Sequence, residues 1–136
     1  MNIRYLPENN LMYIYFVNDV PNTQTRTSNK EVSKFVAKAD KNQIVGYEIE
    51  NISKNIKYVL TKLNLSRKQK LAICLQFLRE NRGKTQREFS DLLAISESTY
   101  KNLEKAEHNI NFDTLDVILD KFHKEPILED VFDLSG

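Results

Sequence analysis

The chain has 136 residues, room for one ordinary domain or two small ones and too little for a large multi-substrate enzyme. Apolar residues make up 40% and charged residues 29%, with 3 Gly, 3 Pro and no Trp, a balance that excludes a disordered or collagen-like chain. The formal net charge of +1 names no partner by itself, and one cysteine with two histidines supplies neither an internal disulfide nor a zinc ligand set.

A reducing cytoplasm suits a lone Cys74 best. The most apolar early run, Leu11 to Val17, is too short to span a bilayer, and the amino terminus lacks an export pattern, so no membrane partner is expected. Charge is nevertheless distributed unevenly. Residues 1–65 carry nine Lys/Arg against six Asp/Glu, residues 66–110 nine against six, and residues 111–136 two against seven. A basic middle therefore precedes an acidic tail.

Up to about Ile49 the hydrophobic pattern has period two, and beyond about Ile52 it has period 3.6. Ile3 to Leu6, Leu11 to Val17, Thr23 to Thr27, Val32 to Ala37 and Ile44 to Ile49 read as strands between turn-rich segments. Their short connections predict an antiparallel meander. In the second strand Leu11, Tyr13, Tyr15 and Val17 share one face, and Met12, Ile14 and Phe16 share the other. Both faces need cover. Ile52, Ile56, Val59 or Leu60, and Leu63 make the apolar stripe of one following helix, enough for a single face. The other face is left for the helical part, a second copy or another protein. Tyr13, Tyr15 and Tyr47 alternate along strands and read as core rather than as a ligand site.

Arg4-Tyr5, Leu11-Met12-Tyr13-Ile14 and Val45-Gly46-Tyr47-Glu48-Ile49 give residues 2–53 a resemblance to a small bacterial β domain of unknown function. Asn10 and Tyr47 stand where that family usually has aspartate and isoleucine, and the resemblance brings no chemistry with it.

From Ser66 the pattern is helical. Leu71, Cys74 or Leu75, and Leu78 form the stripe of a helix that stops near Gly83. Thr85 and Glu88 have capping-box spacing, ahead of Phe89, Leu92 and Leu93 as an inner face. Ala94-Ile95-Ser96 makes a turn, and Ser96 caps a further helix whose Tyr100 and Leu103 point inward with Ile95. Glu97, Ser98, Lys101 and Asn102 are left on its outer side. Leu115, Ile118, Leu119 and Phe122 mark another helix, and Pro126 opens a last one with Ile127 or Leu128, Val131 and Phe132. Two short helices across a three-residue turn read as a helix-turn-helix.

Leu78-Arg79-Glu80, Thr85-Gln86-Arg87-Glu88-Phe89, Leu93-Ala94-Ile95-Ser96, Tyr100 and Leu103-Glu104 resemble the phage-repressor/Cro (XRE) helix-turn-helix family over about residues 70–123. Ala94 replaces the turn glycine, and Lys105-Ala106 replaces the Asn-Gly that usually follows Leu-Glu. The resemblance implies that the helix after Ser96 enters the major groove of double-stranded DNA. Glu97, Ser98 and Asn102 are then the candidate base readers, since Asn suits adenine, Glu suits the cytosine amino group and Ser suits either edge role. Gln86 falls at a helix amino end suited to a phosphate oxygen. Thr85, Ser96, Thr99, Lys101 and Lys105 complete the DNA-binding set, while Arg79, Arg82 and Lys84 are weaker phosphate candidates. Glu104 reads as structural, holding backbone groups or a basic side chain.

No catalytic constellation, cofactor motif or metal set stands out, so the chain does not read as an enzyme. The expected fold is α+β: a small antiparallel β-sheet domain with a helix over residues 1–65, then an all-α, five-helix lambda-repressor-like domain over residues 66–136. The expected function is a cytoplasmic, sequence-specific DNA-binding regulator, a repressor and candidate antitoxin. Its partners would be an inverted-repeat operator, a second copy in a homodimer, and a toxin protein. The alternative is a protein-interaction module whose helix-turn-helix does not read DNA.

Overall fold

The computed structural model describes residues 1–132, and the side chain of Phe132, expected on an inner face, lies outside the described residues. The chain divides into two compact units, Met1–Ile56 and Lys57–Gly136. The division falls inside helix α1 (Ile52–Lys62), upstream of the expected 65/66 boundary.

The first unit holds β1 (Asn2–Leu6), β2 (Leu11–Tyr15), β3 (Asn22–Arg26), β4 (Val32–Ala37) and β5 (Ile44–Glu50). Every pairing is antiparallel, but the spatial order is β1-β2-β5-β4-β3, so the sheet is not the meander that short loops predicted. Composition explains the change. β3 reads Asn-Thr-Gln-Thr-Arg and is exposed at every position, which suits an edge. β2 carries fully buried Met12 and Ile14 and needs a neighbour on each side. β5 supplies the second neighbour, setting Ile49 opposite Met12 and Tyr47 opposite Ile14. β2 also stops at Tyr15, two residues early, and Val17 is 39% exposed.

The two faces of this sheet differ. Tyr5, Met12, Ile14, Val32, Tyr47 and Ile49 are buried, as are Ile52 and Ile56 at the start of α1. That confirms Tyr47 as core. On the other face the Tyr13 and Tyr15 rings stack with centroids 6.1 Å apart, and Tyr15 stacks on Phe35 at 5.9 Å. Gly46 is the register partner of both Tyr15 and Phe35. A Cβ there would lie 2.4 Å from the Ile14 carbonyl and 3.2 Å from the Tyr15 ring, so the bare backbone is what lets the rings lie across it.

The second unit contains α2 (Arg67–Asn81), α3 (Gln86–Leu92), α4 (Glu97–Glu104), α5 (Phe112–Lys121) and α6 (Ile127–Phe132), the five helices expected. Ser66 opens α2 through a capping box with Gln69, and Gly83, at φ +63, stands just past the end of the helix. Leu71 through Leu75 are all buried, with Phe77, Leu78 and Arg79. α2 is thus a central helix, wider in its burial than the predicted stripe. Cys74 is fully buried, and desolvation pushes its thiol up and keeps it protonated.

Around α2 the Phe89 ring meets Tyr100 edge-on at 5.9 Å and stacks on Phe122 at 5.5 Å. Leu93, Leu103, Ile118, Leu128 and Val131 are buried as well. Leu92, expected inside, is 40% exposed, and Ser90 takes the inner position. At about 100° per residue, positions 89, 90 and 93 cluster on one side of a helix and position 92 falls away from them.

Candidate nucleic-acid interface

The helix-turn-helix is built from caps outward. Thr85 precedes α3, its hydroxyl accepting the Glu88 N–H at 3.1 Å while the Glu88 carboxylate accepts the Thr85 N–H at 3.1 Å. α3 ends at Leu93, and Ala94 turns the chain at φ +56, the left-handed region a glycine enters without strain. The Ile95 N–H returns to the Ser90 carbonyl at 3.0 Å, which closes the turn. Ser96 then caps α4, accepting the Thr99 N–H at 3.1 Å and donating to the Thr99 hydroxyl at 2.7 Å.

Along α4, Tyr100 and Leu103 are buried, whereas Glu97, Ser98, Lys101 and Asn102 are exposed. Inner and outer sides fall as the periodicity assigned them. Glu97 and Lys101 approach to 3.4 Å as an exposed i,i+4 pair, a contact weak enough to open for another partner. Thr85, Ser96 and Lys105 are exposed too, and Gln86 and Thr99 are half-buried. The Thr99 hydroxyl is engaged by Ser96.

Behind this surface lies a buried polar cluster. The Arg79 Nε donates to Glu104 Oε2 at 2.7 Å, Arg79 Nη2 to Glu104 Oε1 at 3.1 Å, and Gln86 Nε2 to the same Oε1 at 3.1 Å. Arg79 Nη1 also reaches the Lys84 carbonyl at 2.9 Å. Burial works to lower the Arg79 pKa, but its bonds and charge attraction to Glu104 outweigh that and raise it. Beside them, burial first and the Glu104 charge second push the Tyr100 hydroxyl up, so it stays neutral. These contacts join α2, the start of α3 and the end of α4.

Glu104 is therefore structural, as its position suggested. Arg79 is not a phosphate candidate, because it is 7% exposed and committed to Glu104. Arg82 bonds the Leu78 carbonyl, pairs with Glu125 and lies 5.2 Å over the Phe122 ring, while Lys84 lies 3.7 Å from Glu88. Gln86, read as a phosphate anchor, has its amide nitrogen on Glu104. The sequence held a signal for this cluster, since Arg79 and Glu104 each abut buried apolar neighbours, Leu78 and Leu103. The pairing between them joins positions 25 residues apart, beyond the reach of local pattern.

The end of α4 accommodates the second departure from the family pattern. Ala106 lies at φ +59, and the Glu107 N–H reaches the Asn102 carbonyl at 3.0 Å, the closing bond of a helix terminus that normally uses glycine. Lys105-Ala106 thus follows a glycine-like path. Among the described residues no group of three or more His, Cys, Asp or Glu is placed to hold a metal ion, and no helix is long and apolar enough to cross a membrane.

No curated protein and no solved structure matches the chain. Residues 75–127 match the family model described as Helix-turn-helix, a span running from the middle of α2 to the start of α6. That is a family of DNA-binding regulators. Over residues 75–127 the chain is thus similar to the helix-turn-helix family, consistent with the phage-repressor/Cro-like (XRE) kind.

Proposed function

We propose that the protein is a sequence-specific transcriptional repressor that places α4 in the major groove of double-stranded DNA. The observation that carries this reading is the division of α4 itself: Tyr100 and Leu103 anchor one side while Glu97, Ser98 and Asn102 stand exposed on the other. Asn102 reads adenine, Glu97 accepts from the cytosine amino group, and Ser98 takes either role. Thr85, Ser96, Thr99, Lys101 and Lys105 set the register on the phosphates, while Gln86 braces the start of α3 through Glu104. Opening the Glu97–Lys101 pair frees both ends, one for a base and one for a phosphate.

One such unit covers only a few base pairs, so the protein acts as a homodimer on an inverted repeat, with half-sites roughly 10 bp or a multiple apart. It works in the cytoplasm and performs no catalysis. Its first unit serves protein recognition, and in an antitoxin the partner is a toxin. Selection of bound duplexes from a randomised pool tests the reading. The expected outcome is enrichment of a two-fold symmetric site. Binding that is absent, or indifferent to sequence at every salt concentration, overturns it.

A further inference from the structure

We infer that the helical unit pairs with a second copy of itself through the start of α5, each copy inserting Phe112 into a cavity of the other. This rests on the dimer reading above and names the surface it uses. Phe112 is 84% exposed, far beyond any other large hydrophobic side chain among the described residues. Its own ring forms one wall of a cavity of about 620 Å³ that Leu71, Leu103, Ile110 and Leu115 also line, so an incoming Phe112 would pack against the resident one. A void of about 150 Å³ holds benzene, so this one admits an incoming ring with its flanking backbone. Knob and hole lie on the same face of the same unit, the arrangement that a two-fold axis converts into two identical contacts.

Charge points to the same occupant. Arg67 and Lys68 also line the cavity, and both are exposed. Asp113 and Asp116 follow Phe112 on α5 and are exposed too. None of the four has an ion-pair partner among the described residues. When Phe112 enters the second copy's cavity, its acidic neighbours arrive beside that copy's basic wall, and the reverse happens across the axis. A partner with a basic surface around its aromatic anchor would meet repulsion here. Leu103 belongs to α4 and lines the cavity, so the contact that joins the copies also sets the distance between their reading helices.

Sedimentation of the full chain, alone and with duplexes carrying one half-site or the inverted repeat, tests the inference. The wild-type chain should be dimeric. Phe112→Asp should raise the dimer dissociation constant roughly 30-fold or more while leaving the helical spectrum and half-site affinity unchanged. Arg67→Glu with Lys68→Glu should weaken pairing, and adding Asp113→Lys with Asp116→Lys should restore it, because the swap returns opposite charges to the interface. Should Phe112→Asp lose its helical spectrum, Phe112→Ser decides by the same readout. A wild-type dimer that neither Phe112 variant weakens overturns this face and leaves the dimer reading standing. A wild-type chain that stays monomeric, free and on the inverted repeat, overturns both.

Discussion

The Arg79 guanidinium meets the Glu104 carboxylate twice, at 2.7 and 3.1 Å, and both side chains are buried. A bidentate pair of this kind is short and directional, and it fixes the end of α4 against α2. Glu104→Ala should cost about 3–5 kcal/mol in chemical denaturation, because the guanidinium stays buried without its counter-charge. Replacing both partners by Arg79→Met with Glu104→Leu should recover most of that loss, since two packed apolar side chains avoid desolvating two ions. A Glu104→Ala cost below about 1 kcal/mol would put the pair in the class of exposed bridges and contradict its burial.

Reading and positioning should separate in titrations against DNA. Asn102→Ala should lose about 1–3 kcal/mol on the selected site, with relaxed preference at one base pair. Lys101→Ala should weaken all duplexes alike and flatten the dependence of affinity on salt by about one unit of slope. Equal losses of Asn102→Ala on selected and random DNA would remove it from the base-reading set.

Two alanines occupy left-handed backbone positions, Ala94 at φ +56 and Ala106 at φ +59. Their Cβ atoms make that conformation unfavourable by about 1–2 kcal/mol, and the greater freedom of glycine in the unfolded chain returns part of it. Ala94→Gly and Ala106→Gly should therefore each stabilise the unit by about 0.5–1 kcal/mol, read as a rise in denaturant midpoint with unchanged slope. A fall in midpoint for both would mean that methyl packing at these turns outweighs the backbone term.

The capping box of α3 sets an acid limit. Glu88 is held below the usual carboxylate range by the Thr85 N–H first and the Thr85 side chain next, with Lys84 adding to it. The lowered group contributes stability at pH above the ordinary glutamate value and loses it as pH falls through the lowered one. Glu88→Gln keeps an acceptor oxygen without the titration. The gap in melting temperature between wild type and Glu88→Gln should narrow from about pH 7 to about pH 3. A gap that stays constant would show that the charge on Glu88 does not matter to the cap.

Local signals carried most of the helical unit. Thr85, Ser96 and Gly83 announced their helix ends because capping acts within a few residues, and Tyr100 and Leu103 announced the inner side of α4 because periodicity is local too. The five strands were legible for the same reason, each within a residue or two. Strand order was not. Nothing near β2 says that its second neighbour lies more than thirty residues away in β5 rather than in β3, since pairing is decided by which strands must be central. Leu92 lies outward where the pattern puts it inside, because one turn of a short helix leaves little room to tell an inner leucine from an outer one. The Arg79–Glu104 pair spans 25 residues, and two charges at that separation look like two solvated side chains until the fold closes.

The placement of β5 also sets an order of events for the first unit. β1 with β2, and β3 with β4, are hairpins that can close as soon as each is made, but isolated hairpins are marginal in water. β5 comes last in the chain and wedges between them, pairing β2 on one side and β4 on the other. Until Ile44–Glu50 arrives there are two loose ribbons, and afterwards one sheet. Amide exchange in β1 and β4 should therefore open together, in a single step with the detachment of β5, although the two strands never touch.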